Sequence, residues 1–359
     1  MDDDPRREQE RAVRSLLQAL DNRDPSVRTE AALALGKIQD QYLLNRIIPR
    51  LKKSLYDPVV NVRVAVAWAL GEAGNSNVLP DLYRALKEKE PAVRKEVAEA
   101  LGKIESADAI PELCQALNDR DKTVRRAAAG ALGQIKQRST AIPYLTEAAC
   151  DGKEDISVRR TAINSLGELG YIAAVPVLLD LLCDNKVTIS NAAALALNDI
   201  QAFKKAPASF IDATKLSKLR ITLRTHSDRD VLCTIARILG YVQDPATIPD
   251  LRRALYNNKD DMPVCEAVAN ALVRFGYDAE RSMIDALLNG PTTTVRKVIA
   301  SRLGLLETDN VVDALAQALT DPEGEVQHNA WAALKKINTP RSLSVRSQQP
   351  WIKKLLWFF

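Results

Sequence analysis

The sequence predicts an all-α fold, a right-handed solenoid of about ten two-helix repeats, and three observations carry that prediction. The first is an internal motif, D-x-x-V-R-x-x-A-A-x-A-L-G-x-I, seen from Asp24 to Ile38 and again from Asp121 to Ile135. Its apolar anchor recurs at Val27, Val62, Val93, Val124, Val158, Ile189, Val231, Val264, Val295 and Val326, with steps of 31 to 35 residues apart from one of 42. A fixed period of this length marks stacked supersecondary units. The second is the columns of the repeat: Leu stands eight residues after every anchor, and Ala, Val or Ile four after it. The third is composition. Aromatics are 5% of 359 residues, and Ala and Leu dominate the apolar share, which favours closely packed helices over sheets.

Within each unit a first helix opens with an apolar residue and proline, as at Ile48-Pro49, Leu79-Pro80, Ile110-Pro111, Ile142-Pro143, Val175-Pro176 and Ile248-Pro249. Proline suits a first turn, where its missing N–H has no intrahelical partner. The second helix starts near the anchor, whose +4 and +8 residues complete one apolar stripe. Ala fills the +5 column in eight copies and allows helices to approach closely. Gly fills the +9 column in seven, where a left-handed C-terminal cap is expected. Neither helix can bury its stripe alone, so residues 1–338 form one array. The 42-residue step places an insertion near 201–209, and 339–359 reads as a linker and an amphipathic aromatic tail.

These short Pro- and Val-Arg-marked units resemble HEAT repeats, specifically the short HEAT-like repeats of the phycobilisome lyase type, over roughly residues 10–338. The resemblance to E/F-type phycobilin lyases and their cyanobacterial homologues implies a protein that binds a bilin chromophore or a phycobiliprotein subunit. The alternative it implies is a non-catalytic scaffold for protein partners, such as a partner of an A-type iron–sulphur carrier. No cofactor is required by either, and a phycobilin is the one ligand expected.

Catalytic readings find little support. The chain has two histidines, His226 and His328, followed by Ser227 and Asn329, so the His-Glu pairs of the similar deoxyhypusine hydroxylases are missing. No Walker loop, GxGxxG, GxSxG or HExxH motif occurs, and no metal site is expected. The formal charge is +4, and Arg341, Arg346, Lys353 and Lys354 account for it, leaving a neutral body unsuited to nucleic acid. The acidic start and the lack of a long apolar run point to a soluble, cytoplasmic protein. Its five cysteines have no CxxC pair, and small buried thiols are the expectation.

The binding candidates lie on the second helices, which in HEAT solenoids line the concave face. The +2, +6 and +10 columns vary freely among polar, charged and aromatic residues, so they form an exposed stripe. Its strongest members are Val64, Trp68, Glu72, Arg160, Asn164, Arg237, Tyr241, Asn270 and Arg274. The arginines after the anchors (Arg28, Arg63, Arg94, Arg125, Arg159, Arg296) read as a ladder to acidic residues of adjoining turns. Trp331 replaces the +5 Ala of the last copy and is expected to cap its core. Residues 201–225 carry six Lys or Arg against Asp212, so Lys204, Lys205, Lys215, Lys218, Arg220 and Arg224 are candidates for docking an acidic partner. In the tail, Trp351, Ile352, Leu355, Leu356 and Phe359 share one helical face, with Trp357 and Phe358 beside them. Such a segment needs a surface, and the last repeat, a partner groove or weak peripheral contact with an anionic membrane all fit it.

Overall fold

The computed structural model describes residues 5–135, 139–201, 203 and 207–348. Among them are 21 α-helices and no strand. The first helices of the hairpins are α1 (Pro5–Ala19), α3 (Gln41–Ser54), α5 (Leu79–Ala85), α7 (Ile110–Ala116) and α9 (Ile142–Cys150). They continue with α11 (Val175–Leu181), α13 (Ala213–Thr225), α15 (Ile248–Asn257), α17 (Tyr277–Asn289) and α19 (Asp309–Ala318). The second helices are α2 (Pro25–Gly36), α4 (Val60–Glu72), α6 (Pro91–Ile104), α8 (Lys122–Gln134) and α10 (Ile156–Leu169). After them come α12 (Val187–Asp199), α14 (Arg229–Val242), α16 (Met262–Arg274), α18 (Thr293–Leu303) and α20 (Gly324–Lys336), and α21 (Pro340–Gln348) closes the described chain. These are the ten hairpins the period requires.

The helices fall into two compact units, one within residues 5–181 and 195–201, the other within 182–194 and 203–348. In the first, α2, α4, α6, α8 and α10 stack in succession; in the second, α14, α16, α18 and α20 do so. Each stack buries the stripe its helices share, and every +8 leucine from Leu35 to Leu334 is 0% exposed. The motif aspartate is the N-cap: Asp24, Asp121 and Asp155 accept the backbone N–H two residues on.

The arginine ladder is present. Arg28 donates to both oxygens of Asp57, Arg94 to both of Asp119, Arg125 to both of Glu154 and Arg296 to both of Asp321, at 2.7 to 3.2 Å. Arg63 lies 2.8 Å from Glu88. Each guanidinium also clasps its own hairpin turn, as when Arg94 donates to the carbonyls of Glu88 and Lys89. One side chain thus fixes the turn of its own unit to the turn of the next.

The +9 glycines do not cap helices in the left-handed conformation. At Gly36, Gly71, Gly102, Gly167 and Gly240 an added Cβ would meet the backbone Cα of the +7 alanine of the following copy at 2.7 or 2.8 Å. The column exists to bring second helices into contact. Where Val273 replaces this Gly, the following +7 residue is Arg302 rather than Ala. The left-handed residues lie three positions later, at +12: Gly74, Glu105, Gly170, Gln243, Gly276 and Glu307. An L-residue there costs roughly 1–2 kcal/mol, partly returned by the smaller entropy loss of a non-glycine chain. Glu105→Gly, at an exposed cap with φ 53°, should therefore raise folding stability by up to about 1 kcal/mol in a denaturant melt.

One further expectation changes. Residues 340–348, read as linker, form α21, which packs on α19 and α20, with Ser342 fully buried and Arg341 donating to Asp313 at 2.9 Å. In the insertion, Phe203 is 0% exposed, with its ring 6.2 Å from that of Phe210. Trp331 is buried, as a capping role requires.

Candidate functional site

In the first unit the exposed columns build a patch around Trp68. Val64, Trp68 and Glu72 follow one another at four-residue intervals on α4 and are all half-buried. The indole rests against Gly36 of α2, where even a methyl group would lie 2.7 Å from the ring. From α6, the Lys103 ammonium sits 5.5 Å from the indole centroid and 2.5 Å from the Glu72 carboxylate. A cation over an indole face is electrostatically attracted to it. Lys95 and Glu99, the +2 and +6 residues of α6, pair at 3.2 Å beside them. Burial raises the neighbouring Glu96 carboxyl above its ordinary value, and Glu99 and Glu72 push it the same way. Arg160 and Asn164 stand exposed on α10, two helices further along the stack, apart from this patch.

In the second unit the stripe forms another cluster. The Arg274 guanidinium of α16 lies 3.8 Å from the centroid of the Tyr241 ring on α14, and the Gln243 amide donates to the Arg274 carbonyl. Arg302 of α18 donates to Asn270 at 2.7 Å. Burial lowers the pKa of Arg237, opposed by Tyr241 and Cys233. Towards the N-terminal ends of α16, α18 and α20 a cavity of about 970 Å³ opens, lined by Glu266, Lys297, Ser301, Arg302, Glu325 and His328. Lys297 and Glu325 pair across it at 2.7 Å. Sequence reading left out Lys103, Lys297 and Arg302, although the first two occupy the same freely varying columns.

The basic segment is less available than its charge indicates. Arg220 and Arg224 both hold one buried carboxylate, Asp250, at 2.7 and 2.6 Å. Burial raises the Asp250 carboxyl, the two arginines outweigh it, and it rests below the ordinary carboxylate range. Part of the charge of these two docking candidates is thus already matched by Asp250. Lys215 pairs with Asp212 at 3.3 Å, and Lys218 is exposed. Lys204 and Lys205, and the tail residues Trp351 to Phe359, lie outside the described residues.

His226 Nδ1 accepts the Asp228 N–H at 3.0 Å, so Nε2 carries the proton and faces the Ser190 hydroxyl at 3.0 Å. His328 lines the open cavity. Among the described residues no group of three His, Cys, Asp or Glu is placed to hold a metal ion, and no helix is long and apolar enough to cross a membrane. Cys114 and Cys265 are buried as expected, but Cys150 is exposed and Cys183 and Cys233 are half-buried. Burial pushes the Cys114, Cys233 and Cys265 thiols up to about 11, so little thiolate forms at neutral pH.

The HEAT repeats family model matches residues 48–119, 110–198, 216–289 and 280–345. The chain belongs to the HEAT-repeat proteins. A second model, the PBS lyase HEAT-like repeat, matches residues 27–57. Among solved structures, the repeat array is similar to an engineered protein at 22% identity, covering 91% of this chain and 99% of that one with a TM-score of 0.52. It is also similar to human deoxyhypusine hydroxylase in complex with glycerol, at 20% identity over 73% of this chain and 96% of that one (TM-score 0.34). The complex of CpcE and CpcF of phycocyanin lyase from Nostoc matches at 21% identity over 66% of this chain and 91% of that one (TM-score 0.38). Curated proteins return no match.

Proposed function

We propose that this HEAT-repeat protein works by binding, and that the Trp68 patch on its second helices holds a phycobilin or the phycobiliprotein subunit that carries it. The observation that carries the reading is the patch itself: an indole half-buried against Gly36, flanked by Lys103 and Glu72. It adjoins the repeat that the phycobilisome-lyase-type model matches, residues 27–57. An aromatic surface beside a cation suits a conjugated ligand bearing carboxylates, which would stack on the ring and pair with the ammonium. No covalent step is assigned to the patch.

Titrating the purified protein into phycocyanobilin and recording absorbance tests the reading. A shifted, saturable spectrum is the expected result. An unchanged spectrum, together with no retention of a phycobiliprotein subunit on the immobilised chain, would leave the scaffold reading, in which an A-type iron–sulphur carrier is one partner to assay.

A further inference from the structure

Charge is spread unevenly over the first helices of the hairpins. α1 and α3 together carry eight Lys or Arg against two Glu, and α3 carries no acid at all. The corresponding helices α5, α7, α9 and α11 carry one Arg against four acids. Part of the excess holds the hairpins together. Arg50 donates to the Leu17 carbonyl at 3.2 Å and pairs with Asp21, which ties α3 to α1, and Lys52 pairs with Asp81 at 2.6 Å. Arg6 of α1 lies 5.6 Å from the centroid of the Tyr42 ring on α3. The remainder is unmatched: Arg11, Arg14, Arg46 and Lys53 are exposed, and among the described residues none of the four makes an ion pair or a side-chain hydrogen bond. Arg46 and Lys53 follow the 55% exposed Tyr42 by four and eleven residues, so the three share one face of α3. Arg11 and Arg14 stand one turn apart on α1, which packs on α3.

We propose that this face of α1 and α3 is a docking site for an acidic helix of a protein partner. The spacing suits a helix better than a small anion. Packed helices lie about 8–10 Å apart, and seven residues of α3 separate Arg46 from Lys53 by about 10 Å along its axis, so the cations do not converge on one point. A helix laid alongside α3 carries acidic side chains at i, i+4 and i+7 over that same length. Guanidinium groups take carboxylates through paired hydrogen bonds, and Arg and Tyr are the residue types enriched where proteins meet. Glu8 and Glu10 on α1 disfavour a surface of unbroken negative charge, such as a nucleic acid or an anionic membrane, whereas separate carboxylates on a helix can avoid them. This face belongs to first helices, and it does not depend on the Trp68 patch or its ligand.

Fluorescence anisotropy on the full chain tests it, with a labelled alanine-based helical peptide carrying Glu at i, i+4 and i+7 of each two turns. The comparison peptides carry Gln at those positions, or the same Glu residues with a central proline that breaks the helix. The intact acidic helix should bind tightest and weaken as salt rises. Arg14→Ala and Arg46→Ala should each reduce its affinity at least fivefold with an unchanged melting curve, while Lys335→Ala, an exposed cation of α20, should leave it unaltered. No binding of the acidic helix, equal binding of the Gln peptide, or insensitivity to both substitutions would overturn the proposal. So would tighter binding of a twelve-residue oligothymidylate or of phosphatidylserine vesicles, which would make the face a site for nucleic acid or membrane.

Discussion

Arg94→Met is expected to lower folding stability by about 3–5 kcal/mol, because it strands a buried charge. Arg94 is 4% exposed and serves four acceptors: both oxygens of Asp119 and the carbonyls of Glu88 and Lys89. Methionine fills the volume but satisfies none of them. The double variant Arg94→Met/Asp119→Leu should recover a large part of the loss, since both charges then leave together. The pH dependence follows from Asp119. Burial raises its carboxyl, but hydrogen bonds from Arg94 and the Asp121 N–H outweigh that, and its folded pKa lies below the ordinary value. A depressed carboxylate contributes its stability in full above the unfolded pKa of about 3.9 and loses it as pH falls from there through the folded value. Urea melts between pH 7 and pH 3 should therefore show a steeper acid loss in the parent than in Arg94→Met. Parallel curves would show that the pair adds nothing.

A single methyl group should also be costly at Gly71 and beneficial at Gly130. Glycine in an exposed helix interior is about 1 kcal/mol worse than alanine, so Gly→Ala is stabilising wherever space allows. At Gly71 there is none: the new Cβ would lie 2.7 Å from the Ala100 Cα, and a backbone cannot move aside as a side chain can. Overpacking of this kind costs about 1–3 kcal/mol or more, which exceeds the propensity gain. At Gly130 the nearest atom to the new Cβ is 3.6 Å away, an ordinary contact. Gly71→Ala should therefore lower the denaturation midpoint and Gly130→Ala raise it. Shifts of the same sign would mean that helix contact does not explain the +9 column.

The architecture was legible in the sequence because a solenoid writes the same physical demands ten times. The invariant leucines, the N-cap aspartates and the arginine ladder each repeat at one register, and a repeated column averages away local exceptions. The +9 glycine misled because a glycine near a helix end satisfies two demands alike, a left-handed cap and close contact with a neighbour. The distinguishing signal was present in the pairing of Gly with a following Ala, and of Val273 with Arg302. What could not be read were contacts peculiar to one copy. Arg220 and Arg224 looked like surplus charge because Asp250, which absorbs both, lies in the next unit, 30 and 26 residues on. The stripe columns placed Trp68 and Glu72 together, but only packing shows that Lys103 completes their patch. Cys150 was misplaced for a related reason, since the end of a first helix faces solvent where its hairpin turn opens.

The claim that the second helices carry the binding surface is tested most directly by phycocyanobilin affinity in two variants, Trp68→Ala on α4 and Tyr56→Ala in the turn after α3. Both side chains are aromatic and solvent-accessible, Tyr56 at 58%, but only Trp68 belongs to the proposed patch. Loss of a central aromatic anchor costs about 2 kcal/mol, roughly thirtyfold in affinity. The account predicts that loss for Trp68→Ala, with an unchanged melting curve, and parent affinity for Tyr56→Ala. Parent affinity in Trp68→Ala, or the larger loss in Tyr56→Ala, would contradict it.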